Sequence, residues 1–168
     1  MRPQVLAPWL ATEGYRSTDL LAVDSCPSGT VAPMLGRQGL IGVLVAAAGL
    51  DRLPPTGWPI EATLELLVHD ERIRPTPGSP LSLAVDRWAQ PGNAARSRFP
   101  ALGSLLRALV AAGHLTPRGA GQHARLEIHP DWRESHRHIL DLLSDGDRRS
   151  LLRAGQRLAA LTSSSNTR

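Results

Sequence analysis

Apolar side chains recur at helical spacing along much of the chain, most clearly just after residue 100. Over residues 100–112 the spacing is i, i+3, i+4, i+7, i+8, which places one apolar face on a helix. The residues of that face are Leu102, Leu105, Leu106, Leu109 and Val110. Gly113 follows directly, where many helices end on a residue in the left-handed conformation. The pattern predicts a helix over residues 100–112 that stops at Gly113.

Past this helix the pattern changes to strict alternation. Over residues 124–128 apolar and charged side chains alternate, which is typical of a strand with one buried face. The apolar positions are Ala124, Leu126 and Ile128, and the charged ones are Arg125 and Glu127. A preceding strand is predicted over residues 114–118, joined to the second by a glycine-containing turn. We therefore expect a two-stranded hairpin with a basic tip.

Five further helices are predicted. They cover about residues 35–48, 59–70 and 81–89, and two segments that begin near Asp131 and Ser144. The helix over 35–48 is apolar on almost every side and is expected to be buried on several of them. Trp88 lies on the apolar face of its helix and is expected in the core. Asp131 is a suitable N-cap, and Ser144 precedes acidic residues that suit a first helical turn.

The prolines and the glycine within residues 51–57 predict a domain boundary. The residues before this interruption show no sustained period until the buried helix at about 35–48. The predicted divisions are an N-terminal portion of unclear fold (1–57), a central domain (58–131), C-terminal helices (132–161) and a polar, disordered tail (162–168).

Composition narrows the class of protein further. Of the 168 residues 42% are hydrophobic but only 4% are aromatic, and a core built mostly of Leu, Val and Ala favours helices over a β-sandwich. The single cysteine, Cys26, excludes an internal disulfide and fits a reducing compartment. No signal peptide is expected, and the most apolar run, residues 39–50, is shorter than the roughly 20 residues of a membrane-spanning helix. We expect a cytoplasmic protein without a membrane segment.

The net charge of +4 conceals an asymmetry between the halves of the chain. Residues 1–86 carry six arginines and nine acidic residues, whereas residues 87–168 carry thirteen arginines and six acidic residues. The acid-free window between Asp86 and Glu127 contains Arg87, Arg96, Arg98, Arg107, Arg118 and Arg125. A field of one sign attracts polyanions, of which nucleic acid is the commonest. A solvated basic face, or a surface that meets the acidic half of the chain, is the alternative.

The sequence shows no set of side chains arranged for catalysis. The chain contains no lysine, and therefore no phosphate-binding loop of the Gly-Lys-Ser/Thr type. His136 and His138 are two residues apart, which directs them to different sides of a helix and is poor geometry for a metal. Cys26 has no supporting His or Asn, and Asp145 and Asp147 fit a helix start. We expect no enzymatic activity, no cofactor and no metal.

The helix before Gly113 and the basic hairpin after it together resemble the winged helix-turn-helix family. The resemblance covers about residues 81–129. It is carried by Leu106, Leu109, Gly113 and Leu115, and in the wing by Arg118, Gly119, Gly121 and Arg125. It is similar to the multiple-antibiotic-resistance, PadR and GntR groups of bacterial regulators, and the helices after the wing are similar to the dimerisation helices of the first two groups.

This resemblance implies a mainly α fold: a winged helix-turn-helix with a small β-hairpin wing and additional N- and C-terminal helices. It also implies a homodimer that binds double-stranded DNA and regulates transcription. In that family the helix before the wing enters the major groove, with its N-terminal residues at base edges. Carried over, the helix residues at the DNA are Arg98, Ser104 and Arg107, and those of the wing are Arg118, Gln122, His123 and Arg125.

Few side chains of the predicted recognition helix are suited to reading bases, because most are Ala, Leu and Gly. We therefore expect Arg96, Arg98 and the wing to hold the phosphate backbone more than Ser104 or Arg107 reads sequence. The same composition favours an alternative, in which the winged helix is a protein–protein interaction module that binds a protein partner without DNA.

Overall fold

The computed structural model describes residues 35–89 and 99–166, which form six helices and one three-stranded antiparallel sheet. In chain order the elements are α1 (Arg37–Ala48), β1 (Arg52–Leu53), α2 (Trp58–His69), α3 (Pro80–Trp88), α4 (Leu102–Ala111), β2 (Leu115–Arg118), β3 (Arg125–Ile128), α5 (Pro130–Leu142) and α6 (Asp145–Asn166). A short 3-10 turn, Gly121–His123, lies between β2 and β3. The prediction of a mainly helical chain with a small hairpin is confirmed.

Helix α1 is the centre of the core. Residues 39–45 of this helix are all buried, as its nearly continuous apolar sequence predicts. Its most extensive contacts are with α5 and α6, and α3 and α4 pack against it as well. The closest approach to α6 is at Gly155, where α6 meets the backbone of Ala47 and Ala48. The C-terminal helices therefore bury their apolar faces within their own chain.

The sheet has the strand order β1-β3-β2, so β3 is paired on both edges. In the β2–β3 hairpin Leu115 lies opposite Ile128 and Arg118 opposite Arg125. In the β1–β3 pair Arg52 lies opposite Glu127 and Leu53 opposite Leu126. The inner face consists of buried Leu53, Leu115, Leu126 and Ile128. Because side chains alternate along a strand, the charged residues share the outer face.

The predicted domain boundary at residues 51–57 is not a break in the core. β1 lies within that segment, and its Leu53 is 1% exposed in the same hydrophobic cluster as residues of α1, α2 and α6. The backbone of Asp51 also accepts a hydrogen bond from the amide of Ile128. Pro54, Pro55 and Gly57 end one element and allow the next to begin, but the helices on both sides of them share one core.

The N-cap of α5 and the C-terminal end of α6 differ from those predicted. The N-cap of α5 is His129, whose Nδ1 accepts a hydrogen bond from the amide of Asp131 at 3.1 Å, so Asp131 lies in the first turn instead. Helix α6 continues to Asn166, so the disordered tail predicted from residue 162 was wrong for residues 162–166. Thr162 is buried and its hydroxyl donates to the carbonyl of Leu158, which continues the buried face of the helix.

The predicted core position of Trp88 is confirmed, since this residue is 1% exposed. Its indole Nε1 donates to the carbonyl of Pro100 at 2.9 Å, and the ring of Phe99 meets it edge-on with centroids 5.4 Å apart. These contacts attach the segment that leads into α4 to the end of α3. Ala101 follows with a φ of 67°, a left-handed conformation that is unusual for alanine.

Asp147 joins two helices that are distant in sequence. Its carboxylate is buried and accepts a hydrogen bond from the amide of Leu81, in the first turn of α3, at 3.0 Å. Its own amide donates to the Ser144 hydroxyl at 3.3 Å, as the predicted helix start requires. Negative charge at a helix N-terminus is favourable, and here one carboxylate serves the first turns of both α3 and α6.

We expect Asp147→Ala to lower the free energy of unfolding by about 2–3 kcal/mol, because the buried Leu81 amide is left without its charged acceptor. Chemical denaturation measures this change. Asp145→Ala is the matched control: Asp145 lies in the same helical turn, but its side chain is 84% exposed and pairs only at the surface with Arg148. That variant should change stability by under about 0.5 kcal/mol. Equal losses of stability in the two variants would contradict the bridging role of Asp147.

Candidate nucleic-acid interface

Three arginines share the outer face of the sheet, one on each strand. They are Arg52 on β1, Arg125 on β3 and Arg118 on β2, and together with Glu127 they form what we call the arginine face. Arg118 stands directly opposite Arg125, and Arg52 directly opposite Glu127. The face therefore carries three positive charges and one negative charge on three adjacent strands.

The opposition of Arg118 and Arg125 is unfavourable for the hairpin, since like charges directly across a strand pair repel each other. Glu127 reduces this repulsion, because its Oε1 lies 3.5 Å from Nε of Arg118 and 3.5 Å from Nη2 of Arg125. All three side chains are more than a third exposed. Solvent screens such pairs, so each contributes under about 1 kcal/mol, and the guanidinium groups stay accessible to an anion.

The tip of the hairpin depends on Gly119, whose φ is 72°. A Cβ at this position would overlap the carbonyl oxygen of His123. This close approach folds the chain into the 3-10 turn, which places the exposed side chains of Gln122 and His123 at the end of the sheet. The predicted basic tip is therefore present, and the 3-10 turn lies at its centre.

A cleft of about 200 Å³ lies beside this tip. Its walls include Arg52 from β1, Arg125 from β3, and Gln122 and His123 from the 3-10 turn. Thr162 of α6 closes another side. Three residues predicted from the sequence to meet phosphate thus line one concavity, together with an arginine from a strand about 70 residues earlier in the chain.

Helix α4 exposes a second surface next to the hairpin, since it packs against β2. Ser104 and Arg107 are both exposed, and Nη2 of Arg107 donates to the hydroxyl of Ser104 at 3.1 Å. Gly103, Ala108 and Ala111 are exposed as well. The structure therefore places the two predicted base-contacting residues side by side, on a surface that otherwise offers few hydrogen-bonding groups.

Six of the eight predicted site residues are described by the structure, and they form two groups. Arg118, Gln122, His123 and Arg125 belong to the hairpin, and Ser104 and Arg107 to α4. Arg96 and Arg98 lie outside the described residues. Arg52, in contrast, belongs to the arginine face without any signal in the sequence pattern. A strand of two residues is too short to show alternation, and Arg52 lies among the prolines and acidic residues of an apparent loop.

His136 and His138 occupy different environments, as their spacing predicts: His136 is fully buried and His138 is exposed. Among the residues in the described ranges, no three His, Cys, Asp or Glu side chains lie close enough together to hold a metal ion. Within the same ranges, none of the helices combines the length and the apolar character needed to cross a membrane.

Comparison with protein-family models, with curated proteins and with solved structures found no match to this chain.

Proposed function

We propose that the chain is a winged-helix protein that binds double-stranded DNA, chiefly by its phosphate backbone, and acts in the regulation of transcription. The observation that carries the proposal is the arginine face. Arg118 and Arg125 stand opposite each other and Arg52 lies on the adjoining strand, an arrangement that folding alone does not favour. Phosphate supplies the opposing charge, and the guanidinium fork matches its geometry.

The order of elements supports the winged-helix part of the proposal. Helix α4 leads directly into β2 and packs against it, and the hairpin is completed on its other side by β1. A recognition helix occupies that position before a wing. Thirteen residues separate the end of α3 from the start of α4 in the sequence, more than the 3–4 residue turn of many helix-turn-helix motifs. The contacts of Trp88 with Phe99 and Pro100 link the two helices in its place.

The exposed surface of α4 favours backbone binding over base readout. Base-specific contacts are made mainly by bidentate polar side chains such as Arg, Asn and Gln. Arg107 is the one described residue of α4 of that kind, and it already donates to Ser104. We therefore expect affinity that depends strongly on salt and weakly on sequence, since phosphate contacts position a protein without specifying bases.

Two variants of the arginine face should move DNA affinity in opposite directions. Arg118→Gln with Arg125→Gln should weaken duplex binding and reduce the slope of log affinity against log salt by about 2, near 0.9 for each phosphate that is no longer neutralised. Glu127→Gln should strengthen binding several-fold, because it removes a repulsive carboxylate and releases both guanidinium groups. Fluorescence anisotropy with a labelled duplex, titrated at several chloride concentrations, measures affinity and slope.

Arg72→Gln with Arg74→Gln is the matched control, since these two exposed arginines lie between α2 and α3 and the change in net charge is the same. If this control lowers affinity and slope as much as the change on the arginine face, the binding is non-local and the proposed interface is wrong. The same conclusion follows if Glu127→Gln leaves affinity unchanged. If the wild-type chain shows no detectable duplex binding at low salt, the proposed function itself is wrong.

A homodimer is also part of the proposal. Because α5 and α6 use their buried faces against α1, a second copy would meet their outer faces. Leu142 on α5 and Leu152 on α6 are 64% and 42% exposed on those outer faces. Sedimentation equilibrium across a range of concentrations gives the oligomeric state.

The second candidate function, a protein-interaction module that does not bind DNA, is favoured by the small residues on α4. Exposed Gly103, Ala108 and Ala111 lie beside half-buried Leu105 and Val110, which would let a partner helix approach closely. This candidate requires no duplex binding at low salt, and stoichiometric binding of a partner that Ala108→Arg abolishes. Under the DNA-binding proposal, the added arginine of Ala108→Arg would strengthen duplex binding instead.

A further inference from the structure

The cleft beside the hairpin tip brings together groups from three parts of the chain. β1 contributes Arg52, β3 contributes Arg125, and the 3-10 turn contributes Gln122 and His123. Its volume of about 200 Å³ is below the roughly 300–1,000 Å³ of pockets that hold drug-sized ligands. A space of this size suits one compact polar group with its immediate substituents.

The sheet register brings the two arginines of the cleft within reach of one ligand group. Arg52 is paired with Glu127, so Arg125 is its diagonal neighbour, two residues along β3 on the same face. Diagonal neighbours are about 7–8 Å apart, a separation that long side chains span easily. The two guanidinium groups that line this cleft provide several N–H donors and two positive charges.

Leu53 and Ala124 form the apolar part of the cleft wall, and Gln122 and His123 offer donors to an anion with several oxygens. The Gln122 amide supplies two N–H donors, and the His123 ring supplies at least one. The Thr162 hydroxyl already donates to the carbonyl of Leu158, so it forms a wall and offers no donor to a ligand. The distance from Arg125 to Glu127 is 3.5 Å, longer than the usual 2.7–2.9 Å of a charge-assisted hydrogen bond. Arg125 can therefore turn toward a bound anion at little cost.

We propose that this cleft is a specific subsite for a single phosphate group, held between Arg52 and Arg125 and hydrogen-bonded by Gln122 and His123. The subsite deepens the proposed function. It rests on that function where the phosphate belongs to the backbone of nucleic acid. The other source is a free phosphate or phosphate monoester. Both offer the same tetrahedral oxygens to the guanidinium forks, and experiment separates them.

The test uses the full chain with inorganic phosphate as the probe. Thermal unfolding is followed while phosphate replaces chloride at constant ionic strength, so that general screening stays the same. A ligand that binds the folded state raises the midpoint of unfolding according to its affinity and concentration. The wild type should be stabilised by phosphate, and Arg52→Gln should bind phosphate at least five-fold more weakly. Arg74 is an exposed arginine between α2 and α3 that does not line the cleft, and Arg74→Gln should change phosphate affinity by less than two-fold.

A labelled duplex forms the second arm, measured with the same variants. If the phosphate belongs to nucleic acid, Arg52→Gln should weaken duplex binding at least three-fold and Arg74→Gln should not. Gln122→Ala is a further variant at an exposed tip position, and it should weaken phosphate binding without affecting the core. It keeps the test valid if Arg52→Gln perturbs β1.

The outcomes separate the subsite from the proposed function. Phosphate stabilisation that depends on Arg52, without duplex binding, supports the subsite and removes DNA as the source. Duplex binding with no specific effect of phosphate, and with equal weakening in Arg52→Gln and Arg74→Gln, overturns the subsite and leaves the proposed function standing. Absence of both phosphate stabilisation and duplex binding in the wild type overturns both.

Discussion

Replacing Gly155 with alanine is expected to lower the free energy of unfolding by about 3 kcal/mol, the upper part of the usual range for overpacking. An added Cβ would lie 2.7 Å from the carbonyl carbon of Ala47 and 2.7 Å from the amide nitrogen of Ala48. These are backbone atoms of the last turn of α1, and no side-chain rotation can relieve the overlap. Helix α6 must move away from the helix at the centre of the core.

Chemical denaturation measures the effect, and Gly146→Ala is its control within the same helix. Beyond its chain neighbours and the backbone of its own helix, no atom of the described residues lies within 4 Å of a Cβ built at Gly146. Alanine there should raise stability by up to about 1 kcal/mol through helix propensity alone. A gain in stability at both positions would mean that α1 and α6 are not in the close contact described.

Gly42→Ala is expected to have an effect of similar size, about 3 kcal/mol. A Cβ at Gly42 would overlap Cγ, Cδ2 and Nε2 of His136, whose side chain is fully buried. That imidazole is held by a 2.8 Å hydrogen bond between Nδ1 and the carbonyl of Trp132, and its ring centroid lies 4.5 Å from that of the Trp132 indole. A Cβ at Gly42 therefore requires the ring to shift within the core or α5 to shift relative to α1.

A double-mutant cycle tests whether the overlap with His136 causes the loss of stability in Gly42→Ala. His136→Ala alone leaves a cavity and should also be destabilising. With both substitutions the methyl group added at position 42 enters space that the imidazole has vacated. The double variant should therefore be at least about 1 kcal/mol more stable than the sum of the single effects, which is the size of coupling found between contacting residues. Additive losses of stability would show that Gly42 and His136 do not meet.

The helices could be predicted from the sequence because each is amphipathic or apolar over two or more turns. The alternation at Leu126 and Ile128 likewise predicts β3, and Gly113, with its φ of 83°, follows the end of α4. These signals are local, and each arises from one face of one element turned toward the core. They also placed the hairpin residues of the candidate site.

The contacts that join distant segments could not be predicted in the same way. β1 has two residues, too few for a period, so Arg52 could not be assigned to the sheet. The hydrogen bond from Leu81 to Asp147 spans 66 residues and is carried by one carboxylate that looks like an ordinary helix-start acid. The prolines near residue 55 predict a domain boundary, because a boundary and a turn between packed elements have the same composition.

The pairing of β3 on both edges has a consequence for how the hairpin meets a ligand. An isolated two-stranded hairpin is only marginally ordered in water, but this one is anchored through β1 to the end of α1 and through Leu126 and Ile128 to the interior. Little conformational freedom of its backbone remains to be given up on association. The amide hydrogens of β3 should therefore exchange slowly with solvent whether or not an anion is bound.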